Sequence, residues 1–294
     1  MTEPSGTTVG ELAARLSGWL RRLPPAEDRI VTLIKELDAR YGDRSDPVTA
    51  KTCREVERTA WAYSRHLELQ FEPAGTGTPD EESRGWDDPD PAGVLRGAAA
   101  VTQVQRLREG VSLIQIDSLE PVSLAQSYVK AAFQLARHAS GIIIDLRGNG
   151  GGDPATVALI AGLVLGDVSR PLSEVTYRER RRQWWTPDFE AGTAVPAHVP
   201  VAVLSSTRTF SSGEALAYHL QARGRVTVVG EATPGAADHV TPIRLAPTVL
   251  GILPEAYVTD AVTDTNWEGR GVLPDVACTA EEAASAAVDH LLRA

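Results

Sequence analysis

Ile142-Ile143-Ile144-Asp145-Leu146-Arg147-Gly148-Asn149-Gly150-Gly151-Gly152 is a β-branched run that ends in a cluster of glycines. The apolar stretch from Gly141 to Leu146 has the composition of a strand buried on both faces. The next periodic stretch, Thr156 to Leu165, reads as a helix. Glycine lets the backbone adopt positive φ and approach a neighbour or ligand closely. Its N–H groups can also point into a site as donors to a developing oxyanion. A lone glycine turn needs no function. Three consecutive glycines between a buried strand and a helix favour one.

A second stretch has the same layout. The apolar run Val199–Leu204 leads into Ser205-Ser206-Thr207-Arg208-Thr209-Phe210-Ser211-Ser212-Gly213-Glu214, and Gly213–Ala222 reads as a helix. A strand, a tight polar turn and a helix present a serine hydroxyl at a helix N-terminus. Free backbone N–H groups and the positive end of the dipole favour negative charge there. Ser211 and Ser212 could each be a simple helix cap. The same layout makes Ser211 a candidate nucleophile, for which the rest of the chain should supply a base and oxyanion donors.

Outward from these motifs, strands and helices alternate. Val111–Ile116 is strand-like, Leu124–Arg137 helical, Val226–Val229 strand-like and Glu281–Leu292 helical. Such alternation predicts an α/β layered core over residues 96–294. Residues 1–72 carry three amphipathic helical patterns, built on Val9, Leu12, Leu16 and Leu20, on Ile30, Leu33, Ile34 and Leu37, and on residues 48–63. Leu67–Phe71 alternates apolar and polar as a half-buried strand does. This region is expected to form a small helical bundle ahead of the core. Between them, residues 73–95 are rich in Pro, Gly, Asp and Glu and read as a polar linker or loop.

Composition narrows the function. The chain has 294 residues and a net charge of -10 with His neutral, which argues against nucleic acid as a partner. No apolar run is long enough for a membrane span, and the N-terminus lacks a secretory pattern. With two cysteines far apart, Cys53 and Cys278, a disulfide framework is not expected and a cytoplasmic location is. No Cys/His spacing suggests a metal site, and no phosphate-loop or dinucleotide motif occurs.

The two motifs together resemble the tail-specific (C-terminal processing) serine peptidase superfamily. The closer likeness is to its branch shared with the tricorn protease core and the interphotoreceptor retinoid-binding protein repeats. Gly224–Glu231, Asp264–Asp275 and Trp61–Phe71 are similar to further segments of that branch. The resemblance implies a crotonase-like core with an N-terminal helical cap, no required cofactor, a peptide or small-molecule substrate, and relatives that often assemble as homo-oligomers. No PDZ module is recognisable in residues 73–93.

Carried over residue by residue, the resemblance makes Ser211 the nucleophile. The Ser212 amide is one oxyanion donor, and Gly150 or Gly151 supplies the other. The lysine-using members place their base in the loop that here reads Thr233–His239, and this loop contains no lysine. In the tricorn-like branch a histidine serves, supported by a serine and a glutamate. His66, Ser64 and Glu268 match those places. The pattern departs at Arg65, which separates Ser64 from His66. On an extended segment Arg65 is expected to face away from its neighbours. His239 lies in the lysine loop and could face the site. Trp184 and Trp185 follow the arginine cluster at 178–182 and are candidates for a substrate-facing flap, against the plainer reading of packing aromatics. The alternative function is a non-proteolytic relative on the same fold: an apolar-ligand binder, or an enzyme acting on a non-peptide substrate.

Overall fold

The computed structural model describes residues 6–75, 77–83 and 85–293, a mixed α/β structure with two sheets. Helices α1 (Val9–Arg22), α2 (Asp28–Tyr41) and α3 (Ala50–Ala60) lead to β1 (Glu68–Phe71). Short α4 (Pro91–Arg96) precedes β2 (Val101–Arg106) and β3 (Ser112–Ile116). Then come α5 (Val122–Ala136), β4 (Ile142–Asp145), α6 (Pro154–Leu165), β5 (Pro171–Tyr177), β6 (Arg181–Trp185) and β7 (Val201–Ser205). The chain continues through α7 (Ser212–Ala222), β8 (Thr227–Gly230), β9 (His239–Ala246), β10 (Val249–Asp260), β11 (Val276–Ala277) and α8 (Ala283–Leu291).

The chain divides into two compact units that interleave along the sequence. The first takes residues 1–87, 175–181 and 238–258; the second takes 88–174, 182–237 and 259–294. Strands β5, β6 and β10 contribute residues to both.

In the first unit the helices form for local reasons. At the start of α1, Thr8 Oγ1 accepts from the Glu11 amide and Glu11 returns the bond to the Thr8 amide, a capping box. Val9, Leu12, Ala13, Leu16 and Leu20 make one buried stripe on α1, and Ile30, Leu33, Ile34 and Leu37 make another on α2. Both stripes share a core with Leu67 and Leu69 near β1 and with Ile243, Leu245, Val249 and Leu253 of β9 and β10. β10 pairs antiparallel with both β1 and β9.

The second unit is built on a six-stranded sheet in the order β11-β8-β7-β4-β3-β2. All its pairings are parallel except that of β2 with β3. Leu113, Ile143, Ala202, Leu204 and Val229 cluster with Ala283, Ala287, Val288 and Leu291 of α8. The intervening Ile114, Ile144 and Val203 are also wholly buried and point to the opposite face by the pleat. This two-sided burial is why β4 reads as an unbroken apolar run. In parallel neighbours the chain leaves each strand at the same end of the sheet. The turns after β4 and β7, adjacent strands, therefore emerge side by side.

The segment that reads as a polar linker contains one helical turn and a half. Asp90 caps α4 by accepting from the Ala92 and Gly93 amides.

Candidate active site

The turn after β7 is fastened to the turn after β4. Ser206 Oγ donates to the Arg147 carbonyl at 2.7 Å, Thr209 Oγ1 to the Leu146 carbonyl at 2.8 Å, and the Phe210 amide to the Asn149 carbonyl at 2.9 Å. Ser211 follows as the N-cap of α7, with φ 52° and ψ -120°. That conformation is ordinary for glycine and strained for serine. The strain is held in place by Glu214, whose Oε2 accepts from the Ser211 amide at 2.9 Å. Directly opposite stands Gly151 at φ 108°, where an added Cβ would lie 2.8 Å from Ser211 Cβ and 3.3 Å from its Oγ. The glycine turn and the serine turn, some sixty positions apart, thus meet.

Asn149 organises this meeting, and sequence reasoning gave it no role. It is wholly buried. Its Nδ2 donates to the Ile116 carbonyl at 2.9 Å, and its Oδ1 accepts from the Gly151 amide at 2.9 Å. The Gly151 N–H is therefore already committed. Among the described residues the exposed Gly150 N–H makes no hydrogen bond, and neither does the Ser212 N–H at the first turn of α7. Ser212 Oγ is occupied, donating to the Gly152 carbonyl at 2.8 Å.

Glu214 is also wholly buried, and its carboxylate gathers the loop that lacks the lysine. It accepts from Thr233 Oγ1 at 2.5 Å and from the amides of Gly235 at 2.7 Å and Ala236 at 2.9 Å, besides that of Ser211. Burial pushes its carboxyl above the ordinary range, opposed by these four donors. Glu268 holds the next residue: its Oε2 accepts from the Ala237 amide at 2.7 Å. The indole of buried Trp267 donates to the Ala236 carbonyl at 3.3 Å.

The histidine lies in the first unit, in the turn between α3 and β1. Ser64 and His66 are buried and Arg65 between them is exposed, as expected for neighbours facing opposite ways. His66 Nδ1 lies 2.6 Å from the Asp238 carbonyl oxygen. A carbonyl can only accept, so Nδ1 carries the proton and Nε2 of the neutral ring presents its lone pair. Burial lowers the His66 pKa to about 4, against the pull of that carbonyl. Ser64 Oγ donates to Asp238 Oδ2 at 3.1 Å. Arg29 donates to both carboxylate oxygens, at 2.7 and 2.9 Å. Asp238 and Arg29 carry no motif signal, and sequence reasoning missed both.

The remaining candidates are more peripheral. His239 opens β9 half-buried, with its ring edge-on to Tyr177 and Nδ1 3.5 Å from the tyrosine hydroxyl. Trp184 lies under the Arg182 guanidinium at 3.9 Å, and its indole N–H is buried without a partner. Trp185 is half exposed and bonds Gln183. Arg178 donates to the carbonyls of Arg21, Arg22 and Pro24 at the end of α1, a structural use of one arginine of the cluster. No metal-binding group of His, Cys, Asp and Glu occurs among the described residues, and no helix there is long and apolar enough to cross a membrane.

A model of peptidase family S41 matches residues 110–278. Among solved structures the chain is similar to a candidate peptidase from Parabacteroides merdae, with 14% identity over 98% of both chains and a TM-score of 0.64. It is also similar to a lipoprotein from Streptococcus agalactiae, with 15% identity over 100% of this chain and 99% of that one and a TM-score of 0.60. A third likeness is to a photosystem II D1 C-terminal processing protease, with 22% identity and a TM-score of 0.46. It covers 58% of this chain, which spans 43% of that protease's length. At these identities the first two of these structures speak to the fold alone.

Proposed function

This chain belongs to peptidase family S41, whose model covers residues 110–278, and we propose that it is a serine peptidase of the tail-specific, tricorn-like kind. Ser211 is the nucleophile. The observation that carries this assignment is its strained φ of 52° at the mouth of α7, packed against Gly151. Backbone strain of this sort, held by a buried carboxylate, is found where a side chain must be aimed rather than merely placed.

His66 is the base. Its Nε2 lone pair takes the Ser211 proton as Oγ attacks the scissile carbonyl. The tetrahedral oxyanion is held by the Ser212 and Gly150 amides. Gly150 is preferred to Gly151 because the Gly151 N–H already serves Asn149. The imidazolium then protonates the leaving amine, and water resolves the acyl-enzyme with His66 again as base. Glu268 supports the site through the Ala237 amide, and Ser64 through Asp238. The six-stranded sheet is taken as a crotonase-like core, and peptides as the substrates.

The test is active-site labelling. A fluorophosphonate should modify Ser211 in the wild type, not at all in Ser211→Ala, and much more slowly in His66→Ala. An unlabelled, folded wild type that binds an apolar ligand equally well with Ser211→Ala would favour a non-proteolytic role.

A further inference from the structure

Asp238 uses different atoms for two tasks. Its backbone carbonyl holds His66 Nδ1 at 2.6 Å. Its carboxylate is clamped by Arg29 through Nη1 at 2.9 Å and Nη2 at 2.7 Å, with Ser64 Oγ on Oδ2. The carboxylate has no exposure to solvent. Arg29 Nη1 also donates to the Tyr63 carbonyl at 2.7 Å, three residues before the histidine. Its Nε bonds Glu27 at 2.6 Å, and the guanidinium stacks over Tyr257 at 4.8 Å. One planar fork, itself fixed from three sides, therefore ties the chain just before His66 to the residue whose carbonyl meets the imidazole.

We propose that the Arg29–Asp238 pair is a positioning device for His66, fixing both the place of its ring and the tautomer that leaves Nε2 unprotonated. This rests on His66 being the base, and it adds two residues that no motif names. The physical reason is directional. A neutral imidazole has two tautomers, and only an acceptor held at Nδ1 selects the one whose Nε2 can take a proton. The Asp238 carbonyl can be such an acceptor only if the residue is kept from rotating or withdrawing. The bidentate guanidinium supplies that constraint. Lysine, a point charge without the fork, would keep the charge and lose the geometry.

The pair also explains an arrangement that the tricorn-like pattern leaves open. Ser64 does not stand alone beside the base; its hydroxyl donates to the Asp238 carboxylate. The serine supports the histidine through the aspartate's position rather than by touching the ring.

The experiment uses the full chain with 15N-labelled histidine. The imidazole nitrogen shifts of His66, assigned by their loss in His66→Gln, report its tautomer without reference to activity. In the wild type we expect the Nδ1–H form; a dominant Nε2–H form would overturn the proposal before any variant is made. In Arg29→Lys and Asp238→Asn we expect a mixture of tautomers, with fluorophosphonate labelling at neutral pH slowed on the order of 100-fold, the scale of a small misplacement of a catalytic group. Folding is checked by circular dichroism. Folded variants that keep the pure Nδ1–H form would refute the proposal, whatever their labelling rate. A tautomer shift in Arg29→Lys, with no labelling of Ser211 even in the wild type, would uphold the positioning device and reject the catalytic role. The two failures are thus distinguishable.

Discussion

Gly151 and Ser211 face each other so closely that a methyl group at position 151 would stand 2.8 Å from Ser211 Cβ. Neither backbone can withdraw, because the Gly151 amide bonds Asn149 and the Ser211 amide bonds Glu214. Gly151→Ala should therefore destabilise the chain by about 1–3 kcal/mol, through contact and through its φ of 108°. It should also displace the serine and suppress labelling. Thermal unfolding and fluorophosphonate labelling of the variant check both effects; wild-type labelling would mean that Ser211 tolerates displacement.

Strain at Ser211 makes an unusual forecast. With φ at 52° and ψ at -120°, the residue sits where glycine is at ease and alanine is not. Both Ser211→Gly and Ser211→Ala should abolish labelling. Ser211→Gly should nevertheless melt higher than Ser211→Ala, by about 1 kcal/mol of stability. Equal melting temperatures would show that the strain is relieved elsewhere.

Glu214 accepts four hydrogen bonds with two oxygens and is wholly buried. Glu214→Gln replaces one acceptor by an amide that must face donors. The expected loss is about 2–4 kcal/mol, with faster proteolysis in the loop 233–237 that the carboxylate gathers. A variant with wild-type stability would show that the loop is held by other means.

For pH, the sign follows from the neutral, buried imidazole of His66. Its folded pKa of about 4 lies below the ordinary histidine value, so the unfolded chain binds the extra proton first. Stability from this group is complete above the unfolded value of about 6.5 and is lost as pH falls through 4, up to about 3 kcal/mol. His66→Gln should flatten that part of the stability profile. With His66 as the proposed base, the acid limb of the labelling rate should fall near pH 4 rather than near 6.5, because the imidazole stays unprotonated down to its folded pKa. A limb near 6.5 would show that the working imidazole is solvated.

Much of the architecture was legible in local pattern. The stripes of α1 and α2, the apolar runs of β4 and β7 and the helices behind them all act over a few residues, so periodicity finds them. β10 was not. Val249–Asp260 includes Gly251 and Pro254 and is buried along most of its length, without the alternation that marks a half-exposed strand. Its partners are fixed by pairing with β1, far upstream, which no local window contains. β2 escaped for the opposite reason: nearly every residue is exposed, so no burial pattern is written into it.

The site divides in the same way. Sequence alone singled out Ser211 and the glycine turn as candidates, because a strand, a turn and a helix N-terminus are local chemistry, and it showed that the loop 233–239 holds no lysine. Only the tertiary structure decided which glycine amide is already spent, what gathers that loop, and what holds His66. Arg29 and Asp238 are 209 positions apart. In the chain, Arg29 is one more charge in the first turn of an amphipathic helix, and Asp238 one more acid in a loop. Their meaning arises when burial removes water from the carboxylate and brings the guanidinium fork and the Ser64 hydroxyl against it, a pairing that no spacing rule encodes.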